Sequence, residues 1–278
     1  DPEAALLTPH PRPPVRDLAV SLPGRAPRVH PRVLHDGGVP SPVDLVVPVK
    51  GLPAAKSRLR GAADGGVGEP GAHGRLTLAL LLDTLAAARR SGVRRLLVVS
   101  SDPDVAAAVA GLGAAPARAV TDGTRDDGDS ARLDVVPEGP VAGLNAALTH
   151  GATLLRADDP ASTVGALQAD LPALRPGELR AALAEAAARF AAGAVAAFSA
   201  DTPGDGTTLL LAAPGATLVP AFGHNSAARH AAAGAVLVGG SLPGLRRDVD
   251  TADDLRGAVA LGVGPHTASA LAVVARGA

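Results

Sequence analysis

The 278-residue chain has no cysteine, methionine, tryptophan or tyrosine, and only three phenylalanines. Without cysteine there can be no disulfide framework, thiolate nucleophile, cysteine-held zinc or iron–sulfur cluster, a usage compatible with a reducing cytoplasm. With aromatics at 1% of residues, stacking platforms for single-stranded nucleic acid cannot be built, and the core must be Leu, Val and Ala. An excess of either charge is also missing. The formal net charge of -1 creates no global field for a polyanion or an acidic membrane surface, so any bound anion must be met locally. Long apolar runs are lacking too: residues 76–88 are interrupted by Thr77, Asp83 and Thr84 and fall short of the roughly 20 apolar residues of a spanning helix. The expectation is a cytoplasmic protein with neither nucleic acid nor membrane as partner.

Lysine is nearly absent. Of 26 basic residues all are arginine except Lys50 and Lys56, which stand six positions apart. Two compact, flexible ammonium groups retained in one short segment point to a shared site, although so small a sample also admits chance.

Proline, by contrast, is concentrated at one end: residues 1–42 carry ten of the 25 prolines with scattered Arg, Asp and His and no sustained period. This stretch is read as a disordered extension, and it lacks the charged start, apolar run and small-residue cleavage site of a secretory signal. Beyond it, apolar runs of strand length alternate with Ala/Leu-rich stretches of helical spacing. Strands are expected at 43–49, 93–100, 133–136, 163–168 and 194–199, with a further stretch at 207–213 and a strand-like one at 245–249. Helices are expected at 75–91, from 103 to about 111, at 140–155, 176–190, 226–233 and 251–261. A polar loop is expected at 121–130, and the Gly-rich residues 61–74, with His73, are read as a flexible insertion. The alternation implies one α/β domain, residues 43–278, with a largely parallel sheet covered on both faces.

Ligands of such sheets sit outside the carboxyl ends of the strands. The first exit, Lys50-Gly-Leu-Pro-Ala-Ala-Lys-Ser-Arg58, sets three cations around Gly51 and suits a triphosphate clamp, or else a solvated basic loop. It is not a Walker loop. At another exit, Leu167-Gln-Ala-Asp-Leu-Pro172, Asp170 is positioned either for a metal or for helix capping. In Asp248-Val-Asp250 an extended backbone points both carboxylates to one side, and with Asp170 they offer three oxygens suited to Mg²⁺. Asp250 also reads as the acidic start of the last helix. In Phe222-Gly-His-Asn-Ser-Ala-Ala-Arg-His230 a glycine leads into a helix, so Ser226 either helps bind an anion, with a hydroxyl from Thr207 or Thr208, or joins Asn225 as an ordinary cap. His224 and His230 are read as surface or capping residues.

Taken in order, Val47-Pro-Val-Lys-Gly-Leu-Pro-Ala-Ala-Lys-Ser-Arg-Leu59, Leu167-Gln-Ala-Asp-Leu-Pro-Ala-Leu174, Gly206-Thr-Thr208, the 222–230 segment and Pro243-Gly-Leu-Arg-Arg-Asp-Val-Asp-Thr251 resemble the guanylyltransferases of deazaflavin coenzyme biosynthesis. The resemblance implies a Rossmann-like nucleotidyltransferase fold: α/β, single-domain, with a mixed, mostly parallel sheet and helices on both faces. It implies that GTP is joined to phosphoenolpyruvate, with pyrophosphate released and the product passed to the next enzyme of coenzyme F-420 assembly. 2-Phospho-L-lactate and 3-phosphoglycerate are the alternative acceptors. More distant alternatives are a nucleotidyltransferase for a sugar phosphate or pterin cofactor, or a non-catalytic nucleotide-binding module. On this resemblance Lys50, Lys56 and Arg58 hold the triphosphate, and Asp170, Asp248 and Asp250 hold Mg²⁺. Thr207 or Thr208, Gly223 and Ser226 contact the acceptor, while Gly51, Ser100, Asp102 and Asn145 lie at the nucleotide. The 1–42 extension and the 61–74 insertion depart from the family's pattern.

Overall fold

The computed structural model describes residues 41–51, 59, 71–114 and 131–275. The expected extension through residue 40, the clamp residues Lys56 and Arg58, most of the Gly-rich insertion and the 121–130 loop lie outside the described residues.

In chain order the elements are β1 (Val43–Pro48), α1 (Ala72–Ala88), β2 (Arg95–Val99), α2 (Pro103–Ala114), β3 (Arg132–Val136), α3 (Leu144–Asp158), β4 (Thr163–Leu167) and α4 (Pro176–Ala191). They continue with β5 (Ala196–Ala200), β6 (Thr207–Ala212), α5 (Ser226–Ala232), β7 (Val236–Leu237), α6 (Pro243–Arg246), α7 (Ala252–Leu261) and α8 (Pro265–Ala275). The strands form one sheet in the order β3-β2-β1-β4-β6-β5-β7. β6 pairs antiparallel with both β4 and β5, whereas every other pairing is parallel.

The central strands read as unbroken apolar runs because both faces are covered. Leu45 and Val47 of β1, with Leu96 and Val98 of β2, pack beneath α1, α2 and α4. Val46, Leu97 and Val99 face the opposite core, built with α3 and α5. α3 lies so close to β1 that a Cβ on Gly151 would come 2.6 Å from a Val46 methyl, which explains a glycine in mid-helix. A third cluster joins α1 to α7 through Leu76, Leu80, Val249, Leu255 and Ala258.

Three expectations need correction. The strand-like reading of 245–249 gives way to the short helix α6, whose Gly244 and Leu245 N–H groups donate to the Glu178 carboxylate at 3.1 and 3.0 Å. The helix expected from residue 140 starts at Leu144, after Gly143 with φ 116°. His73 belongs to the first turn of α1, not to an insertion. β7 and α8 were not foreseen; α8 starts with Pro265, and its His266 and Thr267 N–H groups donate to the buried Asp83 carboxylate of α1 at 3.0 and 2.8 Å.

Candidate active site

The reversed direction of β6 shapes the site. Parallel strands β1 and β4 deliver their following loops to one sheet edge, and an antiparallel strand delivers its first residue to that same edge. Thr207, at the start of β6, therefore joins Lys50 after β1 and Asp170 after β4. These residues line a cleft of about 680 Å³, which Gly223, Ser226, Asp248 and Asp250 also line. A volume of this order suits a nucleotide-sized ligand.

Asp170 is buried, and its loop is fastened from below. The fully buried Thr84 hydroxyl of α1 accepts from Leu171 N–H at 2.9 Å and lies 3.3 Å from the Ala169 carbonyl, gripping the backbone on both sides of Asp170. No helix begins at Asp170, since α4 starts at Pro176, so the capping alternative does not apply. Val249 N–H donates to the Asp170 carbonyl at 3.1 Å, laying the 248–250 segment beside this loop. Because Val249 is buried in the third cluster, its neighbours Asp248 and Asp250 turn to the cleft. Capping of α7 falls to Thr251 and Asp254, whose side chains bond each other's backbone N–H at 3.0 and 3.2 Å. All three carboxylates thus line the same cleft, and carboxylate oxygen is the donor type that Mg²⁺ takes. Among the described residues no group of three or more His, Cys, Asp or Glu side chains stands close enough together to hold a metal ion.

Another part of the lining is built from hydroxyls. Thr207 and Ser226 are both buried, line the cleft and lie 3.1 Å apart, oxygen to oxygen, with Ser226 donating. Thr208, one residue on, points to the other face of β6, its hydroxyl 3.5 Å from the Ser199 carbonyl. α5 runs only seven residues, and its N-cap Asn225 has φ 55° with no side-chain capping bond, so hydroxyls rather than a long helix dipole furnish this part. Asp201 steadies the floor by accepting from Gly204 and Gly206 N–H at 2.7 and 2.8 Å. A Cβ on Gly206 would come 2.3 Å from that carboxylate.

His230 corrects the surface-or-cap reading. It is 1% exposed; its Nδ1 lies 2.9 Å from Thr207 Oγ1 and its Nε2 accepts from Ala221 N–H at 2.9 Å. Phe198 and Phe222 stand against its ring, with centroids 6.1 and 5.2 Å away. Burial, with the nearby Arg229 cation, pushes its pKa down to about 4.

The expected nucleotide-binding residues Gly51, Ser100, Asp102 and Asn145 are not among the residues that line the cleft. Ser100 and Asp102 follow β2; Ser100 Oγ accepts from Asp102 N–H at 3.3 Å, and Asp102 Oδ1 accepts from Asp104 N–H at 3.0 Å to start α2. Gly51 lies near Asp102: a Cβ built on it would stand 3.6 Å from the carboxylate. Both ends of the Asn145 carboxamide engage the Phe222 backbone, at 2.8 and 3.1 Å, fastening the 222–226 loop to α3. Sequence reasoning missed Thr84 and Asp201, and the Asp-x-x-Gly-x-Gly spacing of 201–206 was the available signal for the latter.

A cleft at the carboxyl edge lined by a lysine, a hydroxyl pair and three carboxylates points to the class: an α/β enzyme of the nucleotidyltransferase type. Comparison with known proteins narrows this. A protein of Geodermatophilus obscurus named phosphoenolpyruvate guanylyltransferase is 53% identical over 233 residues, covering 84% of this chain and 95% of its own. One of the same name from Streptomyces scabiei is 50% identical over 230 residues, covering 82% and 95%. Among solved structures, a nucleotidyl transferase from Methanothermobacter thermautotroptrophicus is similar with a TM-score of 0.48 at 20% identity, covering 79% of this chain and 97% of that one. No protein-family model matches the chain. On these relatives the chain belongs to the phosphoenolpyruvate guanylyltransferase family.

Proposed function

We propose that the protein transfers the guanylyl group of GTP to phosphoenolpyruvate. A phosphate oxygen of phosphoenolpyruvate attacks the α-phosphorus of GTP. The bond from that phosphorus to the α–β bridging oxygen breaks, and pyrophosphate leaves with the bridging oxygen and its electron pair. The product is enolpyruvoyl-diphospho-guanosine, consumed by the next enzyme of coenzyme F-420 assembly. The observation that carries this reading is the convergence of Lys50, Asp170, Thr207, Ser226, Asp248 and Asp250 on one cleft. The name shared by the relatives supports phosphoenolpyruvate as acceptor.

The chemistry asks little of acid–base groups, since an acceptor phosphate is largely deprotonated near pH 7 and attacks without a general base. Its difficulty is charge. Lys50, with Lys56 and Arg58 a few positions on in the sequence, would hold the triphosphate and offset repulsion between two polyanions. Asp170, Asp248 and Asp250 would hold Mg²⁺, which when bound stabilises charge on the leaving pyrophosphate. Thr207, Gly223 and Ser226 would hold the acceptor, and Gly51, Ser100 and Asp102 would border the nucleotide. A cytoplasmic setting belongs to the same reading; no helix among the described residues is long and apolar enough to cross a membrane.

³¹P NMR of a reaction with GTP, phosphoenolpyruvate and Mg²⁺ tests it. The α-phosphorus should move into a new diphosphate diester as free pyrophosphate appears. GTP cleaved to GDP and inorganic phosphate would instead indicate a hydrolase.

A further inference from the structure

The hydroxyl pair at the acceptor end is wired to a side chain outside the residues that line the cleft. A backbone N–H can only donate, so the Ala221 N–H at 2.9 Å makes His230 Nε2 an acceptor and leaves the neutral ring's proton on Nδ1. Nδ1–H then donates to Thr207 Oγ1 at 2.9 Å. Thr207 and Ser226 together carry two hydroxyl protons, one of which bridges the pair. With the histidine as donor the second proton remains available, and both residues line the cleft. In the other tautomer Nδ1 would accept that second proton, and the pair would offer a ligand only lone pairs. A phosphate or carboxylate needs donors, so the ring's tautomer decides whether this end attracts or repels an anion.

We propose that His230 is a positioning residue that makes the Thr207–Ser226 pair a net hydrogen-bond donor toward an anionic, phosphate-bearing acceptor. The inference rests on reading this end as the acceptor site. The depressed pKa keeps the ring neutral near pH 7 and agrees with it. Phe198 and Phe222 hold the ring's plane, and the bond from Ala221 selects its tautomer.

Two amide variants separate this role from mere fastening of the 221–223 loop. His230→Asn presents an N–H near the position of Nδ1 and loses the acceptor for Ala221. His230→Gln reaches the Nε2 position, keeps that acceptor and loses the donor to Thr207. His230→Gln should raise KM for phosphoenolpyruvate by about tenfold or more, with KM for GTP within about twofold, while His230→Asn stays within about threefold of the unaltered protein for both. Loss in His230→Asn with retention in His230→Gln, or equal rises in both KM values, would overturn the proposal. ¹⁵N NMR of the unaltered protein at pH 7 adds a readout that needs neither turnover nor a folded variant: a neutral Nδ1–H ring is expected, and an Nε2–H tautomer or an imidazolium would overturn it. If the unaltered protein turns over no acceptor, the proposed reaction fails. The tautomer spectrum, with a titration of inorganic phosphate into the unaltered and His230→Gln proteins, then decides the inference, and equal phosphate affinity would refute it.

Discussion

Acidification should loosen this fold through His230 well before most carboxylates titrate. The ring is 1% exposed and its pKa falls from 6.5 to about 4 on folding. Above pH 6.5 the native and unfolded chains both carry it neutral, and its contribution is complete. Between pH 6.5 and 4 the unfolded chain takes up a proton that the native site refuses, so stability falls as pH falls, by up to about 1.4 kcal/mol per pH unit. Over that window the loss amounts to about 3 kcal/mol, a large share of a typical domain's stability. Below pH 4 both forms are protonated and this loss levels off. Urea unfolding of the unaltered protein and of His230→Asn across pH 4–8 isolates the effect, because other titrating groups are common to both. The difference between the two stability curves should slope between pH 6.5 and 4 and be flat above. A difference that is flat throughout would show that His230 titrates normally, and would refute both its burial and its wiring to Ala221.

Substitutions at three further positions address separate parts of the account. Ser226→Ala should raise KM for phosphoenolpyruvate about tenfold and leave that for GTP nearly unchanged; an equal rise in both would contradict two distinct anion ends. Thr84→Val strands the Leu171 N–H beside Asp170 and should cost about 1–3 kcal/mol in urea unfolding, with Thr84→Ser restoring most of it; a neutral Thr84→Val would remove that hydroxyl from the support of the loop. Asp83→Ala should release the start of α8, costing about 1–3 kcal/mol and abolishing slow hydrogen exchange at Thr267 N–H; unchanged exchange there would contradict the clamp.

Much of the sheet was legible because strands covered on both faces are short apolar runs between turns, and Asp170 stood out because it follows closely on one of them. The direction of β6 was not, since it is set by pairing with β4 and β5 rather than by any local pattern. That reversal brings Thr207 to the ligand edge. His230 looked like an ordinary end-of-helix residue because its partners, Thr207 and the Ala221 N–H, come from other elements. Thr84 stood in view as an interruption of an apolar helix; its purpose appears only with residues 169–171 folded against it. The 245–249 stretch has the apolar spacing of a strand, yet Glu178, far along the chain, draws its first residues into a helical turn.

The most direct test of the central claim is pyrophosphate release from GTP with Mg²⁺, comparing phosphoenolpyruvate, 2-phospho-L-lactate and 3-phosphoglycerate in the unaltered protein and in Asp170→Asn. The next pathway enzyme and its deazaflavin acceptor are included to draw off the product. Release with phosphoenolpyruvate, lost in an Asp170→Asn protein that remains folded, is the predicted result. Silence with all three acceptors in folded protein, or full activity in Asp170→Asn at saturating Mg²⁺, would contradict the account.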